Sequence, residues 1–404
     1  MLGEISRVCE MVHKHLPPVH PNRQLQDDQV LGALLCAFFD PICRSQRLID
    51  QLSVVPAVRD LLDCDRVARS TLSEALKRFD TTTMEDAVQE LRKRMPELKQ
   101  QDPTLERLVQ QIIAADGSSF RMAGEVAWAL QRKRDQEGNI DSQAKLHLQL
   151  DIRRWTMEQF IVTGSAGVPG GASEQAALGR MLEPGVIYLL DRGYCGFGLI
   201  RGMLETKSHF VLRLKKDLVF RPQQDLPLSE KDREADVGCD QLGLVGKADE
   251  EMSPQNPRGE NRRDKPPELL LRKVEVWDPS KKQWVMLLTD LMDVEAWIIG
   301  YLYRCRWIIE LFFRWLKITA GFAHLLSQSA NGVQVQMYVA LIGTLLIHVR
   351  TGLPVSKYSF YALSLVARGQ ASYEELLPGL LRLERERRLE KERLARKKAA
   401  AKKG

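Results

Sequence analysis

The sequence predicts an α/β fold in which a mixed sheet is flanked by helices and follows an N-terminal helical domain. Three observations support this prediction. Apolar residues recur at helical spacing from Asp27 to about Leu98, and short strand-like runs that alternate with helical stretches replace them after Leu108. The sequence from Phe220 to about Pro267 is polar and rich in Pro, Asp, Glu and Gly, which indicates an exposed insertion with long loops.

The predicted strands are short apolar runs, at Val109–Ala115, Lys145–Ile152, Gln159–Thr163, Val186–Leu190, His209–Leu214, Leu269–Trp277 and Gln283–Leu288. Helical periodicity covers Glu174–Leu182, Phe197–Thr206, Val294–Thr319 and Gly332–Arg350. Hairpin-like strands come first and strands then alternate with helices, so the sheet should be mixed. We expect a helical domain over 1–105, a core over 106–219 and 294–350 that an insertion over 220–293 divides, and a helical C-terminal region over 351–404.

The cysteines and the apolar runs indicate a protein of a reducing compartment. Seven cysteines without CxxC spacing argue against both a disulfide framework and a zinc site. The amino terminus lacks the apolar core of a secretory signal. The longest apolar run, Tyr338–Val349, is too short to span a bilayer and predicts a buried helix. We therefore expect a cytoplasmic protein that has no membrane contact.

The positive charge of the chain is concentrated at its C-terminus. The whole chain carries +6, whereas Leu381–Gly404 alone has eleven Lys/Arg against four Asp/Glu, or +7. Because the rest is close to neutral, a DNA-binding surface there would require local clustering of positive charge. The tail is typical of a solvated helix or a disordered segment, and non-specific contact with DNA is the alternative.

A short turn followed by a helix, at Cys64–Ser70, resembles a helix-turn-helix, which places its second helix in the major groove of DNA. Plain packing of helices explains the same pattern at least as well. The start signal at Ser70–Glu74 favours a helix here on either interpretation. Only the first interpretation makes the N-terminal helical domain a DNA-binding domain.

Two aspartates follow apolar strands and could face a metal ion. Asp116 follows Ile112–Ala115 and precedes Gly117, and Asp191 directly follows the buried strand Val186–Leu190. The carboxyl ends of strands are where enzymes built on sheets place catalytic groups. Each aspartate also has an ordinary explanation, because Asp-Gly is a common hairpin turn and an Asp after a strand can cap the next helix.

The segment Tyr303–Lys317 contains no helix breaker and predicts one continuous helix. At about 100° per residue, four of its polar residues lie within roughly 60° of arc, namely Tyr303, Arg306, Glu310 and Lys317. Arg314 lies close to this stripe, and apolar residues cover the opposite side. A glutamate flanked by cations suits a site for metal ions and phosphates. An i,i+4 surface salt bridge between Arg306 and Glu310 is the alternative.

These residues resemble a known family. The spacing Y-x2-R-x3-E-x6-K is similar to the signature of bacterial insertion-sequence transposases of the DDE type, the insertion-sequence-four-like family, and is matched here by Tyr303, Arg306, Glu310 and Lys317. The blocks that begin at Asp116 and Asp191 resemble the two aspartate regions of the same family, in the same order. The resemblance covers roughly Leu108–Val349.

The resemblance implies a ribonuclease H-like core that a mainly β insertion interrupts before the catalytic glutamate. It implies that Asp116, Asp191 and Glu310 hold two Mg²⁺ (or Mn²⁺) ions and catalyse cut-and-paste cleavage and strand transfer at terminal inverted repeats. Phosphates near the cleaved end would be contacted by Tyr303, Arg306 and Lys317, with Arg314 beside them. The implied partners are element ends, target DNA and a second copy of the chain, in the bacterial cytoplasm at the nucleoid.

A tryptophan in the insertion bears on whether a hairpinned DNA end forms. Some members of the resembled family stack a flipped base on such a residue, and Trp284, ahead of Val285–Thr289, is the nearest equivalent. Its spacing to that block differs by one residue from the family pattern, and one residue reverses the face of a strand. A role for Trp284 in the core or at the surface is at least as well supported.

Two other functions are compatible with parts of the sequence. A non-catalytic DNA-binding protein derived from a transposase would not need all three carboxylates. Another nuclease with a similar core would not need the Tyr-Arg-Glu-Lys stripe. Because the chain has both features, an active DDE transposase is the favoured interpretation.

Overall fold

The computed structural model describes residues 1–16, 24–96, 104, 108, 110–122, 126–134, 140–164, 172–215, 218–245 and 268–403, apart from the side chains at 130–141, 388, 391–392 and 395–403. The chain forms two compact units. The first unit comprises Met1–Leu98, Phe120–Ala144 and Phe313–Gly404. The second unit comprises Lys99–Ser119 and Lys145–Phe312. The domain bounds expected from the sequence stay predictions.

Helices dominate the first unit. Its helices are α1 (Leu2–His13), α2 (Asp27–Phe39), α3 (Gln46–Ser53), α4 (Pro56–Leu62), α5 (Arg69–Arg78), α6 (Thr83–Lys93) and, near the C-terminus, α12 (Ala330–Thr351), α13 (Lys357–Ala367) and α14 (Tyr373–Lys403). Buried α12 packs against α2, α5 and α6. An ideal Cβ on Gly343 of α12 would lie 2.4 Å from the ring of Phe38, so only glycine allows α2 to approach this closely.

The ends of α12 follow from local chemistry. The Ser329 side chain accepts a hydrogen bond from the Gly332 N–H at the first turn, and Gly352 ends the helix in a left-handed conformation at φ 63°. The helix is long and apolar enough to cross a membrane, but 83% of its most apolar window is buried inside the protein. The buried helix predicted around Tyr338–Val349 is therefore confirmed.

The helix predicted after the turn at Cys64–Ser70 is present as α5. Asp63, with a left-handed backbone at φ 46°, ends α4 before this turn. In the turn, Arg66 forms an ion pair of 2.6 Å with Asp50 of α3. Leu72 and Leu76 bury one face of α5, so packing alone accounts for the helix. Its insertion into a DNA groove stays a prediction.

The second unit is built on a mixed sheet. Its strands are β1 (Ile112–Arg121), β3 (Ile140–Asp151), β4 (Thr156–Thr163), β5 (Ile187–Leu190), β6 (His209–Arg213), β7 (Phe220–Asp225), β8 (Val237–Val245), β9 (Leu269–Asp278) and β10 (Gln283–Thr289), and β2 (Leu130–Arg134) pairs with the start of β3 within the first unit. The order is β4-β3-β1-β5-β6-β10-β9-β8-β7. The strands β1, β5 and β6 are parallel, whereas β3–β4 and the run from β6 to β7 are antiparallel.

Five helices complete this part of the described chain: α7 (Glu174–Gly179), α8 (Phe197–Glu205), α9 (Glu230–Glu234), α10 (Ala296–Cys305) and α11 (Trp307–Arg314). Buried residues of β5, β6 and α8 form an apolar cluster with residues of β1 and β9. The predicted mixed sheet with flanking helices is thus confirmed.

The insertion differs from the loops predicted for it. Between Phe220 and Val245 the chain forms β7, α9 and β8 instead of long loops, and these strands extend the sheet at its edge. An edge strand tolerates polar side chains and proline, so β7 is mostly exposed and has a register shift next to Pro222. The apolar alternation that marks a buried strand is therefore missing. The remainder of the predicted loop, 246–267, lies outside the described residues.

Candidate active site

Asp116 and Asp191 follow neighbouring positions on two parallel strands. The last register pair of β1 and β5 joins Ala115 to Leu190, and each aspartate is the next residue of the chain. Adjacent strands lie about 4.8 Å apart, so the two backbones hold the aspartates side by side. Strand β1 continues beyond Asp116 to Arg121. The alternative explanation of Asp116-Gly117 as a hairpin turn is therefore wrong.

Asp116 is the most perturbed carboxyl of this region. Burial, together with the negative charges of Glu310 and Glu174, raises the pKa of Asp116 to about 6. The Gly117 N–H donates a hydrogen bond of 2.8 Å to Asp116 Oδ1. This hydrogen bond and the positive charge of Arg306 both lower the pKa of Asp116. A positive charge close to Asp116 would lower the pKa of this carboxyl again. Perturbed carboxyl groups of this kind are typical of functional sites.

Asp191 has the opposite electrostatic environment. Burial would raise its pKa, but the backbone N–H of Arg192, the charge of Arg306 and a hydrogen bond from Tyr303 together hold it below the ordinary value. The Tyr303 hydroxyl donates this hydrogen bond to Asp191 Oδ1 at 3.1 Å. Asp191 begins a short 3-10 turn, Arg192–Tyr194, without a side-chain capping bond. The helix-cap explanation therefore accounts for its backbone position but not for its side chain.

Glu310 projects from α11 and is paired with Arg306. Arg306 Nη1 lies 2.7 Å from Glu310 Oε1, with side-chain exposures of 11% and 26%. The i,i+4 ion pair that the sequence left open as the alternative is thus present, but it lies largely buried beside the two aspartates and not at an open surface. The guanidinium also stands 5.6 Å from the Tyr303 ring centroid. Arg306 acts on the pKa of Asp116 and of Asp191, so it is the cation shared by all three carboxylates.

The helix that carries these residues is not continuous, contrary to prediction. The backbone turns at Arg306, whose N–H donates to Tyr303 O at 3.2 Å in the tighter i→i+3 manner, and this turn separates α10 from α11. After Arg314 the chain forms a π-helical turn, Trp315–Thr319. A π turn has more residues per turn than an α-helix, so the 100° step used to place Lys317 on the stripe does not hold there.

The start of α10 is fixed by the insertion strands. Buried Arg272 of β9 forms an ion pair of 2.7 Å with Asp240 of β8, and both side chains are no more than 5% exposed. Arg272 Nη1 also donates to three backbone carbonyls, those of Leu291, Met292 and Val294. Asp232 of α9 accepts a hydrogen bond of 2.8 Å from the Trp297 N–H. The insertion therefore anchors the segment that leads to Glu310.

The donor chemistry of the three carboxylates fits a hard divalent cation. Carboxylate oxygens are the ligands that Mg²⁺ prefers. Glu310 Oε2 is buried and has no hydrogen-bond partner within the described part of the chain, which leaves an oxygen available to a cation. Among the described residues, however, no three acidic, histidine or cysteine side chains are already grouped as metal ligands. Arg306 holds Glu310 through Oε1, so Oε2 is the oxygen that Glu310 could offer to a cation.

Two residues that the sequence patterns did not reveal lie at this site. Glu174, the first residue of α7, is paired with Lys145 of β3 at 2.8 Å. The charge of Glu174 acts on the pKa of Asp116 and of buried Tyr194. Neither residue stands in a recognisable motif, and only the capping Ser173 marks the helix start. No local signal could have placed them beside the aspartates.

Lys317 and Arg314 belong to the first unit. Lys317 Nζ stands 4.8 Å from the Phe120 ring centroid, and burial lowers the pKa of this lysine. Arg314 is exposed. Their roles in DNA binding stay predictions.

Trp284 is an exposed residue of β10 that pairs with a half-buried tryptophan of β9. It is 49% exposed, and its ring packs edge-to-face with Trp277 of β9 at a centroid distance of 5.3 Å. An ideal Cβ on Gly238 would lie 2.6 Å from the indole, so a glycine accommodates the Trp284 ring. The sequence left open whether Trp284 lies in the core or at the surface, and in the structure it lies at the surface.

The chain belongs to the family of transposases with a DDE domain, since the family model described as "Transposase DDE domain" matches residues 107–346, more than half of its length. The matched region contains Asp116, Asp191 and Glu310. The predicted transposase family is therefore confirmed.

Two known proteins illustrate the likeness. The protein y4zB of Sinorhizobium fredii, named as a candidate transposase, is 26% identical over 193 residues. The match spans 46% of this chain and 50% of that relative, so the chain covers about half the length of the curated relative. The piggyBac transposase synaptic complex with hairpin DNA covers 94% of this chain and 76% of its own, at 11% identity and a TM-score of 0.40, a likeness too distant to inform the site.

Proposed function

We propose that the protein is the transposase of an insertion sequence of the insertion-sequence-four-like type, which binds terminal inverted repeats and catalyses Mg²⁺-dependent cleavage and strand transfer by a cut-and-paste route. The observation that carries the proposal is that Asp116 and Asp191 follow paired residues of two adjacent parallel strands. Glu310 is close enough for its charge to raise the pKa of Asp116. Membership of the family supports the class of reaction. The placement of the aspartates supports the choice of catalytic residues.

The strand order supports a ribonuclease H-like core. Strands β4, β3, β1, β5 and β6 are consecutive neighbours, and the last three are parallel. In this proposal β7 to β10 form the mainly β insertion, and α11 returns to the core with Glu310. The insertion continues the same sheet through the pairing of β10 with β6.

Asp116, Asp191 and Glu310 would hold the ions. When bound, two divalent cations lower the pKa of a water or of a DNA 3′-hydroxyl and neutralise charge on the scissile phosphate. Asp191 is ionised at neutral pH because its pKa is held low, so it is ready to act as a ligand. Asp116, whose pKa is about 6, would be mostly ionised at neutral pH, and Glu310 would offer Oε2, the oxygen that does not contact Arg306.

Arg306 would have a second task. Its guanidinium would face the anionic DNA backbone, where a bidentate contact to a phosphate suits its planar fork. Tyr303 would keep Asp191 oriented through its hydroxyl, 3.1 Å from Oδ1. Lys317 and Arg314 would add backbone contacts, and Trp284, exposed on the insertion, would offer an aromatic face to an unpaired base. Two copies of the chain would hold two DNA ends in the cytoplasm at the nucleoid.

The test uses full-length protein and a plasmid that carries the gene with its flanking DNA. We expect Asp116→Asn, Asp191→Asn and Glu310→Gln to abolish Mg²⁺-dependent cleavage at the element ends while DNA binding persists in a mobility-shift assay. Asp278→Asn, at the half-buried last residue of β9, is the control and should cut like the wild type.

The outcomes separate the alternatives. Cleavage at the wild-type rate by any of the three variants would show that its residue is not a metal ligand. A wild-type protein that binds the ends but never cuts, with all variants binding equally, would favour a non-catalytic DNA-binding protein derived from a transposase.

A further inference from the structure

An ion pair between Lys145 and Glu174 lies next to both aspartate segments. Lys145 Nζ and Glu174 Oε1 are 2.8 Å apart, and the side chains are 23% and 28% exposed. Lys145 belongs to β3, whereas Glu174 begins α7. The pair therefore joins two elements that are separate in sequence and does not stabilise a single helix or strand.

The carboxylate of Glu174 packs against two glycines. An ideal Cβ on Gly117 would lie 2.9 Å from Glu174 Oε1 and 2.9 Å from Lys145 Cε. An ideal Cβ on Gly193 would lie 3.0 Å from Glu174 Oε2. Gly117 directly follows Asp116, and Gly193 comes two residues after Asp191. One carboxylate thus touches the backbone beside both aspartates, with one oxygen on each side.

The neighbouring residue Gln175 reinforces this contact. Gln175 Nε2 donates a hydrogen bond of 3.0 Å to the Gly193 carbonyl. An ideal Cβ on Gly196 would lie 2.3 Å from Gln175 Oε1, so the Gln175 side chain also packs closely against the Gly196 backbone. The first two residues of α7 therefore both hold the turn that follows Asp191.

We propose that Lys145 and Glu174 are positioning residues of the active site, which set the distance between Asp116 and Asp191 by bracing the β1 backbone at Gly117 against the turn that contains Gly193. The proposal rests on the proposed function, because it concerns the geometry of the metal ligands. Lys145 holds Glu174 in place, and Glu174 keeps the two backbones in register beyond the last paired residues of β1 and β5. Outer residues that orient metal ligands typically affect metal affinity or activity by about 10- to 100-fold.

The experiment measures the binding of Mn²⁺ alone to the full-length protein by calorimetry, and the nicking of a supercoiled plasmid as a function of Mn²⁺ concentration. Glu174→Ala and Lys145→Ala should weaken Mn²⁺ binding by about tenfold or more and raise the Mn²⁺ concentration needed for half-maximal nicking. Glu174→Gln keeps the shape and an oxygen that can accept from Lys145. The Mn²⁺ affinity of Glu174→Gln should therefore stay within about threefold of the wild-type affinity. This result would show that Glu174 acts through its position and not through its negative charge.

A glycine variant tests the contact itself. Gly117→Ala places a methyl group against Glu174 and should weaken Mn²⁺ binding in the wild type. The same substitution should have little further effect in a protein that already carries Glu174→Ala, because the two changes remove one interaction. If Glu174→Ala does not fold, Lys145→Ala and Gly117→Ala carry the test.

The control is a pair of similar geometry in the same unit. Lys273 and Glu275 of β9 are 2.9 Å apart and 15% and 27% exposed. Glu275→Ala should leave Mn²⁺ affinity unchanged. The proposal is overturned if Glu174→Ala and Lys145→Ala bind Mn²⁺ and nick DNA as Glu275→Ala does, while Asp116→Asn loses binding. If Asp116→Asn and Glu310→Gln also bind Mn²⁺ like the wild type, the proposed metal site itself is wrong.

Discussion

Replacing Asp116 by Asn should stabilise the metal-free protein while it removes catalysis. The pKa of Asp116 rises from 3.8 to about 6 in the fold, chiefly because the carboxyl is buried and because Glu310 and Glu174 are nearby. At about 1.4 kcal/mol per pKa unit, keeping this group ionised at pH 7.5 costs about 3 kcal/mol. Asn keeps the shape and the acceptor for the Gly117 N–H, and it carries no charge to bury.

The pH dependence of this effect has a definite sign. A carboxyl whose pKa is raised in the fold destabilises the protein when it is ionised. The loss of stability caused by ionised Asp116 is therefore complete at pH values above the folded pKa of about 6. It disappears as the pH falls toward 3.8, the pKa of this carboxyl in the unfolded chain. The advantage of Asp116→Asn should fall to roughly half at pH 5.

Urea unfolding of both proteins at pH 7.5 and pH 5, in the presence of a chelator, measures this difference. Adding Mg²⁺ at about a hundredfold excess over its Kd should stabilise only the wild type, by about 2.7 kcal/mol, because the variant would lack one of the proposed ligands. Asp278→Asn is the control, since hydrogen bonds from Ser280 lower the pKa of Asp278 and its loss should not stabilise the protein. The reasoning fails if Asp116→Asn is no more stable than the wild type at pH 7.5, or if its advantage does not change with pH.

Three further predictions concern charges that the fold buries or that the proposed function assigns to DNA binding. Arg306→Ala leaves Glu310 largely buried without its cation and should lower the free energy of unfolding by about 3 kcal/mol in chelator; an unchanged urea midpoint would contradict this. Arg272→Met leaves Asp240 buried and unpaired and should cost about 3–5 kcal/mol, also measured by urea unfolding. Lys317→Ala should reduce the slope of log binding constant against log salt by about one on element-end DNA, and an unchanged slope would exclude a phosphate contact.

The sequence alone was sufficient for the features that depend on local periodicity. The apolar runs before Asp116 and Asp191 predicted β1 and β5, because strands buried in a parallel region are continuously apolar. The spacing of Arg306 and Glu310 left an ion pair open as an alternative, and the pair is present because residues four apart meet on one helical face. Even the break at Arg306 leaves this pair intact.

Other features depended on partners that are distant in sequence. Strand β7 is polar because it lies at a sheet edge, and edge position is decided by the pairing with β8 and not by the residues of β7 themselves. The π turn at Trp315–Thr319 likewise has no marker among its residues, so the predicted position of Lys317 on the stripe could not be corrected from sequence.

For the three carboxylates, sequence determined the type of residue at each position, and tertiary structure decided their relation. Asp116 and Asp191 are 75 residues apart along the chain, and only the parallel register of β1 and β5 makes them neighbours. Glu174 and Lys145 come from two further elements, and a hydrogen-bonded sheet with a helix packed beside it is what brings their side chains to Gly117 and Gly193. Because such contacts depend on how the strands pair, no local pattern could encode them.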